Sequence, residues 1–200
     1  MPSRIVQSIA AISLCVLLGC ESVPIIPTVT KLDLERFMGD WYVIASIPTA
    51  FEKQAFNAVE SYRLTDDGTV ETTFRFNKGG FDGPVKIYRS RAYVLDTASN
   101  AHWGMQFVWP FKAEYRVVYL TPDYSLTVIG RSKRDYVWIM ARTPSIPDAA
   151  YARLRELIAS YGYDLGELRK VPQQAASAPQ QPTSEASATM PPVPERKQSH

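Results

Sequence analysis

Few side chains in this chain of 200 residues could take part in covalent catalysis. Both cysteines, Cys15 and Cys20, lie within the first twenty residues, and the two histidines are His102 and the terminal His200. A serine nucleophile would have to be activated by His102, and the chain has no Gly-x-Ser-x-Gly turn to present such a serine. The sequence therefore disfavours nucleophilic catalysis and leaves acid–base chemistry by Glu60 open.

Composition and charge exclude further classes of function. The net charge is only +2, with 46% hydrophobic and 12% aromatic residues, so a basic surface for nucleic acid or for an anionic membrane is not expected. The sequence contains no glycine-rich phosphate loop and no cysteine–histidine set with zinc spacing. A haem or metal site would depend on His102 alone, and we expect neither a metal nor a cofactor.

The elements that must position these side chains are β-strands. Between Trp41 and Arg142, short alternating segments are separated by turn signals such as Asp66-Asp67-Gly68 and Thr121-Pro122-Asp123. Eight such segments with short connections predict an all-β fold, an eight-stranded antiparallel up-and-down β-barrel without free sheet edges. After the barrel, residues 147–162 combine a proline start, an apolar stripe and a glycine stop, which predicts a C-terminal α-helix packed outside it.

The N-terminus has the features of a targeting signal. Arg4 precedes an apolar run from Ile5 to Leu18, which is shorter than the roughly 20 residues that span a membrane. The run ends in Leu17-Leu18-Gly19-Cys20, which is similar to the bacterial lipobox. That resemblance implies an N-acyl and S-diacylglycerol modification of Cys20, and Glu21 after it implies the outer membrane. An ordinary signal peptide with an incidental cysteine is the alternative.

These observations divide the chain into four parts. We expect a lipoprotein signal peptide in residues 1–19, a lipidated tether in residues 20–31 and the folded domain in residues 32–171. Residues 172–200 are rich in Pro, Gln, Ser and Ala, a composition that predicts a disordered tail. The folded domain would then face the periplasm from the outer membrane of a bacterial cell.

Three motifs inside the barrel region resemble those of the lipocalin family, and most closely the bacterial outer-membrane lipocalin lipoproteins. They are Gly39-Asp40-Trp41, Asp123-Tyr124, and the last strand with its terminal Arg142. Each alone is weak, but all three occur in order behind a lipobox. The resemblance implies structural roles: Gly39 allows a sharp turn, Trp41 closes one end of the barrel, and Arg142 covers the Trp41 indole as a cation–π pair.

Alternation along each strand predicts which side chains line the barrel. Arginines that must face water, such as Arg63, Arg89 and Arg116, place their neighbours inside, and the resemblance adds the inward face of the fifth strand. The candidates for ligand contact are Glu60, Tyr62, Tyr88, Trp103, Met105, Phe107, Tyr115, Val117, Tyr119 and Trp138. Simple packing of a filled barrel is the alternative for each of them.

The resemblance implies that the barrel binds a small apolar or amphiphilic ligand, a fatty acid or a lysophospholipid, for storage or transport in the cell envelope. The alternative is an enzyme that acts on a small lipid within the barrel. Nucleic acid is not an expected partner. The oligomeric state stays open, with a homodimer through the barrel mouth as one alternative.

Overall fold

A computed structural model describes residues 24–49 and 52–174 of the chain. The expected signal peptide, the lipidation candidate Cys20 and most of the expected C-terminal tail lie outside the described residues. In the described part of the chain, no helix is long and apolar enough to cross a membrane.

Eight antiparallel strands form a closed barrel. Each strand pairs with the next in sequence, and β1 pairs with both β8 and β2, which closes the ring. The strands are β1 (Gly39–Ile47), β2 (Ala55–Leu64), β3 (Val70–Lys78), β4 (Val85–Val94), β5 (His102–Val108), β6 (Phe111–Leu120), β7 (Leu126–Gly130) and β8 (Val137–Ala141). The predicted fold class is confirmed.

Three short elements flank the barrel. Helix α1 (Leu34–Phe37) precedes β1. Helix α2 (Asp148–Ser160) follows β8, after Pro147 and before Gly162, where a positive φ of 85° ends the helical path. A two-residue strand, β9 (Arg169–Lys170), then pairs with β1.

Apolar side chains form one cluster inside the barrel and another outside it. The inner cluster contains Phe37, Trp41, Tyr62, Phe74, Trp103, Tyr115, Trp138 and their neighbours. The outer cluster lies between the barrel wall and α2, whose Leu154 and Ile158 are both buried. The strands of this wall are therefore covered on both faces, which explains the unbroken apolar run of β8 and the burial of most of β7.

The described part of the segment that was expected to be a tether, residues 24–31, is packed against the barrel wall. Ile26 is fully buried in the outer cluster, and the Val29 amide donates to the Val117 carbonyl at 2.9 Å. Pro24 is also held, because its carbonyl accepts from the Arg134 guanidinium. Residues 24–31 are therefore packed as part of the folded domain.

The folded domain also continues past the predicted boundary at residue 171. The Pro172 carbonyl accepts from the Asn57 amide at 2.9 Å. The Gln173 side-chain amide donates to the carbonyls of Val43 on β1 and Ala58 on β2, at 2.8 and 2.9 Å. Residues 169–174 thus fill the gap where β1 and β2 diverge.

Candidate ligand-binding site

The two ends of the barrel differ. We call the end that carries α1 and the β2–β3, β4–β5 and β6–β7 connections the closed end. The opposite end carries the β1–β2, β3–β4, β5–β6 and β7–β8 connections, and we call it the open rim. A ligand would enter the barrel at the open rim, because Trp41 and α1 cover the other end.

The closed end is held together by Trp41 and Arg142. Trp41 is fully buried, and its indole N–H donates to the Phe37 carbonyl at 2.9 Å. The Arg142 guanidinium lies 3.8 Å from the indole centroid. It also donates to the carbonyls of residues 36, 37, 38 and 40 at 2.8–3.1 Å. Gly39 has a φ of 88°, a backbone conformation that residues with a side chain rarely adopt, and it provides the turn into β1.

The turn between β6 and β7 anchors the same end. The Tyr124 hydroxyl accepts from the Asp33 amide at 2.9 Å, and Arg36 lies 4.0 Å from the centroid of the Tyr124 ring. Hydrogen bonds from the hydroxyls of Thr121 and Ser125 lower the pKa of Asp123. These contacts join the turn to α1 and do not involve the barrel interior.

Five aromatic rings fill the closed half of the interior. Trp103 stacks on Tyr115 with a centroid separation of 5.1 Å and an interplanar angle of 8°. Phe37 lies between Trp41, Tyr62 and Trp103 at 5.0, 5.5 and 5.6 Å. The hydroxyls of Tyr62 and Tyr115 hydrogen-bond to each other. This half of the barrel is a packed core.

Polar groups lie between this ring cluster and the open rim. Glu60 is 2% exposed on β2, and its Oε2 atom has no hydrogen-bond partner among the described residues. Closer to the rim, the Glu52 carboxylate accepts from the Trp138 indole N–H at 3.1 Å and from the Thr49 hydroxyl at 2.8 Å. An unpartnered buried oxygen is costly, so Glu60 marks a place for a polar ligand group.

Burial raises the affinity of both carboxyl groups for protons. Burial raises the pKa of Glu60 well above its ordinary value of 4.5, the charge of Glu52 raises it further, and the Thr72 hydroxyl opposes the shift. Burial also raises the pKa of Glu52, against the hydrogen bonds from Thr49 and Trp138. The interior thus favours a protonated Glu60, which can donate a hydrogen bond to a ligand oxygen.

Most of the candidates for ligand contact face inward. Seven of them lie in the inner cluster or among its buried polar neighbours, namely Glu60, Tyr62, Trp103, Met105, Tyr115, Val117 and Trp138. Tyr88 stacks on Phe76 of that cluster at 6.0 Å. Three of these eight candidates are part of the five-ring cluster, namely Tyr62, Trp103 and Tyr115. The other five lie outside that cluster.

Two candidates are placed differently from the prediction. Tyr119 packs against the outer cluster, because a register shift between Val117 and Tyr119 puts one extra residue into β6 and reverses the alternation. Phe107 is 60% exposed at the open rim, within a second register shift between Met105 and Val108. Strict alternation could not reveal either bulge.

Two further titratable residues differ in their relation to the site, because His102 lies outside the barrel and Glu52 belongs to the site. His102 pairs across the sheet with Arg116, and its Nε2 atom lies 3.8 Å from the Glu114 carboxylate, on the outer face of the barrel. Glu52 was not among the candidates, because its segment is a loop without alternation. The only signal for it in the sequence is a carboxylate beside a phenylalanine in the longest rim connection.

A closed antiparallel barrel with one covered end, an apolar inner face and a few buried polar groups defines a class of proteins that bind small molecules inside a barrel. The chain belongs to the family described as the lipocalin-like domain, whose model matches residues 32–173.

Individual relatives agree with the family. Temperature-induced lipocalin-1 of Arabidopsis thaliana is 34% identical over 154 residues, which cover 72% of this chain and 81% of the plant protein. The outer membrane lipoprotein Blc of Citrobacter freundii is 29% identical over 180 residues, covering 86% and 99%. Among solved structures, the cockroach allergen Per a 4 is 19% identical, with a TM-score of 0.59, covering 76% of this chain and 96% of the allergen. Insecticyanin of the tobacco hornworm Manduca sexta is 14% identical, also with a TM-score of 0.59, covering 75% and 85%.

Proposed function

We propose that this protein is a lipid-anchored lipocalin of the bacterial outer membrane that binds single-chain lipids, fatty acids or lysophospholipids, for storage or transport in the cell envelope. The ligand class is inferred from Glu60, whose buried carboxyl group has one unpartnered oxygen inside a mostly apolar barrel. A ligand with an apolar chain and one polar group matches both the apolar surface and that oxygen.

The packing of the interior favours one chain over two. The five-ring cluster occupies the closed half. Phe74, Phe76, Tyr136 and Trp138 also pack against one another on the open-rim side, so a ligand would have to pass between these rings, and one chain needs less space there than two. Burial of about 14–18 methylene groups offers roughly 10 kcal/mol or more of transfer free energy. Ordering and association costs remove much of it, so we expect dissociation constants of about 1 μM.

The lipid anchor rests on separate support. The Leu17-Leu18-Gly19-Cys20 sequence resembles a lipobox, and the relatives from Citrobacter freundii and Escherichia coli carry the name outer membrane lipoprotein. Several acyl chains at about 0.8 kcal/mol per buried methylene group would hold the protein permanently at a membrane.

Native mass spectrometry of the full chain, extracted gently from bacterial membranes, tests the proposal directly. We expect a mass increase at Cys20 that matches the three acyl chains, and a co-purified single-chain lipid. Incubation with lysophospholipid should leave that lipid unchanged. Turnover of the lipid would favour the enzyme alternative, and an unmodified Cys20 would remove the anchor.

Glu60→Gln tests the role of the buried carboxyl in ligand choice. The amide keeps the shape but cannot ionise, so the variant should change the ratio of affinities for a fatty acid and for its uncharged methyl ester, measured by titration of intrinsic fluorescence. Glu71→Gln is the matched control, because Glu71 lies near by in an ion pair with Arg63 on the outer surface. Equal ratios in the wild type and in Glu60→Gln would contradict a role for Glu60 in recognition.

A further inference from the structure

Of the nine large apolar side chains that are exposed among the described residues, eight lie at one place on the barrel. The tip of the β5–β6 hairpin carries Phe107, Val108, Trp109 and Phe111, each 60–82% exposed. Val85, Ile87 and Tyr88 at the start of β4 and Ile25 of the N-terminal segment are also exposed. We call these eight residues the apolar rim. Monomeric proteins rarely leave such a group of aromatic side chains in water, so it marks a contact surface.

All eight residues lie at the open rim of the barrel. The β5–β6 turn at Trp109 and Pro110 is one of the rim connections, and β4 begins there with Val85. Ile25 follows Pro24, whose carbonyl is held by Arg134 of the β7–β8 connection. In contrast, Leu95 is an exposed apolar residue of the β4–β5 connection, at the closed end.

The chain also enters the described structure at the open rim. Ile26 donates from its amide to the Ser132 hydroxyl of the β7–β8 connection at 3.4 Å, and residues 26–32 then run along the wall to Ser99 at the closed end. Cys20 precedes Pro24 by only four residues, which can span at most about 14 Å. A lipid on Cys20 would therefore lie beside the rim.

Charged side chains are separated between the two ends. The open rim has more bases than acids: Lys53, Lys78, Lys86, Lys112, Arg131, Lys133 and Arg134 against Glu52, Asp82 and Asp135. The closed end has more acids than bases: Asp33, Glu35, Asp40, Asp66, Asp67, Glu71, Asp96 and Asp123 against Lys31, Arg36, Arg63 and Arg142. The basic end is the one that an anionic surface attracts.

We propose that the open rim docks on a lipid bilayer, with the tip of the β5–β6 hairpin inserted among the head groups and the barrel mouth facing the membrane. This orientation uses the proposed Cys20 anchor, which holds the same end of the barrel close to the bilayer. Tryptophan and phenylalanine are well suited to the membrane interface, and lysines around them pair with lipid phosphates. A lipid could then pass between the bilayer and the barrel without crossing water.

A bilayer fits this surface better than a second copy of the chain. Two rims face to face would bring Lys86, Lys133 and Arg134 of one copy near the same bases of the other, and like charges across an interface are unfavourable. An anionic bilayer instead neutralises them. The apolar rim together with its basic border thus has the composition of a membrane-contacting surface.

The four tryptophans allow a direct test of the orientation. Trp41, Trp103 and Trp138 are buried inside the barrel, whereas Trp109 is exposed at the hairpin tip. The full chain, purified from bacterial membranes, is reconstituted in vesicles of phosphatidylethanolamine and phosphatidylglycerol with brominated acyl chains, which quench nearby indoles. We expect quenching of the wild type and its loss in Trp109→Phe. The double variant Trp109→Phe with Leu95→Trp moves the exposed indole to the closed end and should not be quenched.

The outcomes separate docking from ligand binding. Quenching of both reporters, or of neither, would overturn the proposed orientation. A dimer in sedimentation that buries Trp109 would also overturn it, in favour of a second copy. The same preparations are titrated with lysophospholipid in the absence of vesicles. If they bind the lysophospholipid but Trp109 is not quenched in vesicles, the docking proposal is wrong and the proposed ligand is not affected. If Trp109 is quenched but no lysophospholipid binds, the proposed ligand is wrong and the docking proposal is not affected. The double variant Phe107→Ser with Phe111→Ser removes two apolar side chains from the rim and should reduce the quenching of Trp109. Leu95→Ser at the closed end is its matched control and should leave that quenching unchanged.

Discussion

At the scale of single residues, Arg142 connects more of the closed end than any other side chain described above. Its guanidinium covers the Trp41 indole and donates to four carbonyls from the end of α1 to the start of β1. Five contacts by one planar cation require both the charge and the fork-shaped geometry of arginine, which lysine lacks. Arg142 is therefore a structural residue, and its loss should affect stability before binding.

We expect Arg142→Ala to lower the free energy of unfolding by about 3 kcal/mol, because charge-assisted hydrogen bonds and a cation–π contact are lost together. The free energy of unfolding of Arg142→Lys should lie between those of Arg142→Ala and the wild type. Denaturant titration measures the change, with Arg153→Ala on the exposed face of α2 as the control. A loss in Arg142→Ala no larger than in the control would contradict this role.

Glu60 makes the free energy of unfolding depend on pH, because burial raises the pKa of its carboxyl group. Below pH 4.5, the ordinary pKa, the carboxyl is protonated in both the folded and the unfolded chain. Above that pH the unfolded chain releases the proton while the folded protein retains it, so the free energy of unfolding falls as the pH rises toward the raised pKa of the folded state. Glu60 thus stabilises the fold less at neutral pH than in acid.

Glu60→Gln should remove this part of the pH dependence. The variant is expected to gain stability over the wild type as the pH rises above 4.5, and the difference should be smallest in acid. Denaturant titrations at a series of pH values measure it, with Glu71→Gln on the outer surface as the control. A difference that is constant with pH would show that Glu60 is ionised to the same extent in both states.

At the scale of elements, the barrel is completed by a segment that no strand pattern predicts. β1 pairs with β2 only from Gly39 to Tyr42, and beyond that point β9 and residues 171–174 lie between the two strands. The Gln173 side chain supplies the hydrogen bonds that strand pairing would otherwise make. The end of the folded domain is therefore part of the barrel wall.

Removal of residues 172–200 should consequently destabilise the protein more than removal of residues 175–200. Gln173→Ala in the full chain should cost about 1–3 kcal/mol, because the carbonyls of Val43 and Ala58 lose their donor. Thermal unfolding of the two truncations and of the variant measures these effects. Equal stability of the two truncations would show that residues 172–174 contribute nothing.

At the scale of the whole molecule, the small net charge of +2 conceals a separation of charge along the barrel axis. The bases of the open rim and the acids of the closed end nearly cancel in the sum, although each end has a distinct sign. Composition alone therefore argued against an anionic surface as a partner. The docking proposed above departs from that conclusion for one end of the molecule, because Lys53 and Lys133 of two connections and Lys86 at the start of β4 lie at one rim.

Reversal of rim charges should weaken contact with anionic vesicles. In Lys86→Glu with Lys133→Glu, we expect a loss of about 1 kcal/mol of attraction per lysine removed, so that more phosphatidylglycerol is needed for the same quenching of Trp109. Arg153→Glu with Arg155→Glu makes the same change of charge on α2 and serves as the control. An equal effect of the two pairs would indicate a response to net charge rather than to the rim.

Much of the architecture could be predicted from local patterns. Alternation and turn signals predicted the eight strands, and the proline start and glycine stop predicted α2 within one or two residues. Alternation also placed Glu60 and Trp138 inside, and the family resemblance placed Trp103 there. It failed at Tyr119, because one extra residue in a strand reverses every later side chain, and a bulge has no local signature there.

The sequence by itself determined the class of barrel, its covered end at Trp41 and most of its inward side chains, because these depend on periodicity and short motifs. Only the tertiary structure decided the placement of Glu52 against Trp138, 86 residues away, and of Pro24 against Arg134, 110 residues away. It likewise brought the exposed aromatic hairpin, the basic connections and the entering chain to one rim. Such placements follow from closure of the barrel, which joins distant segments and cannot be read from neighbours in the chain.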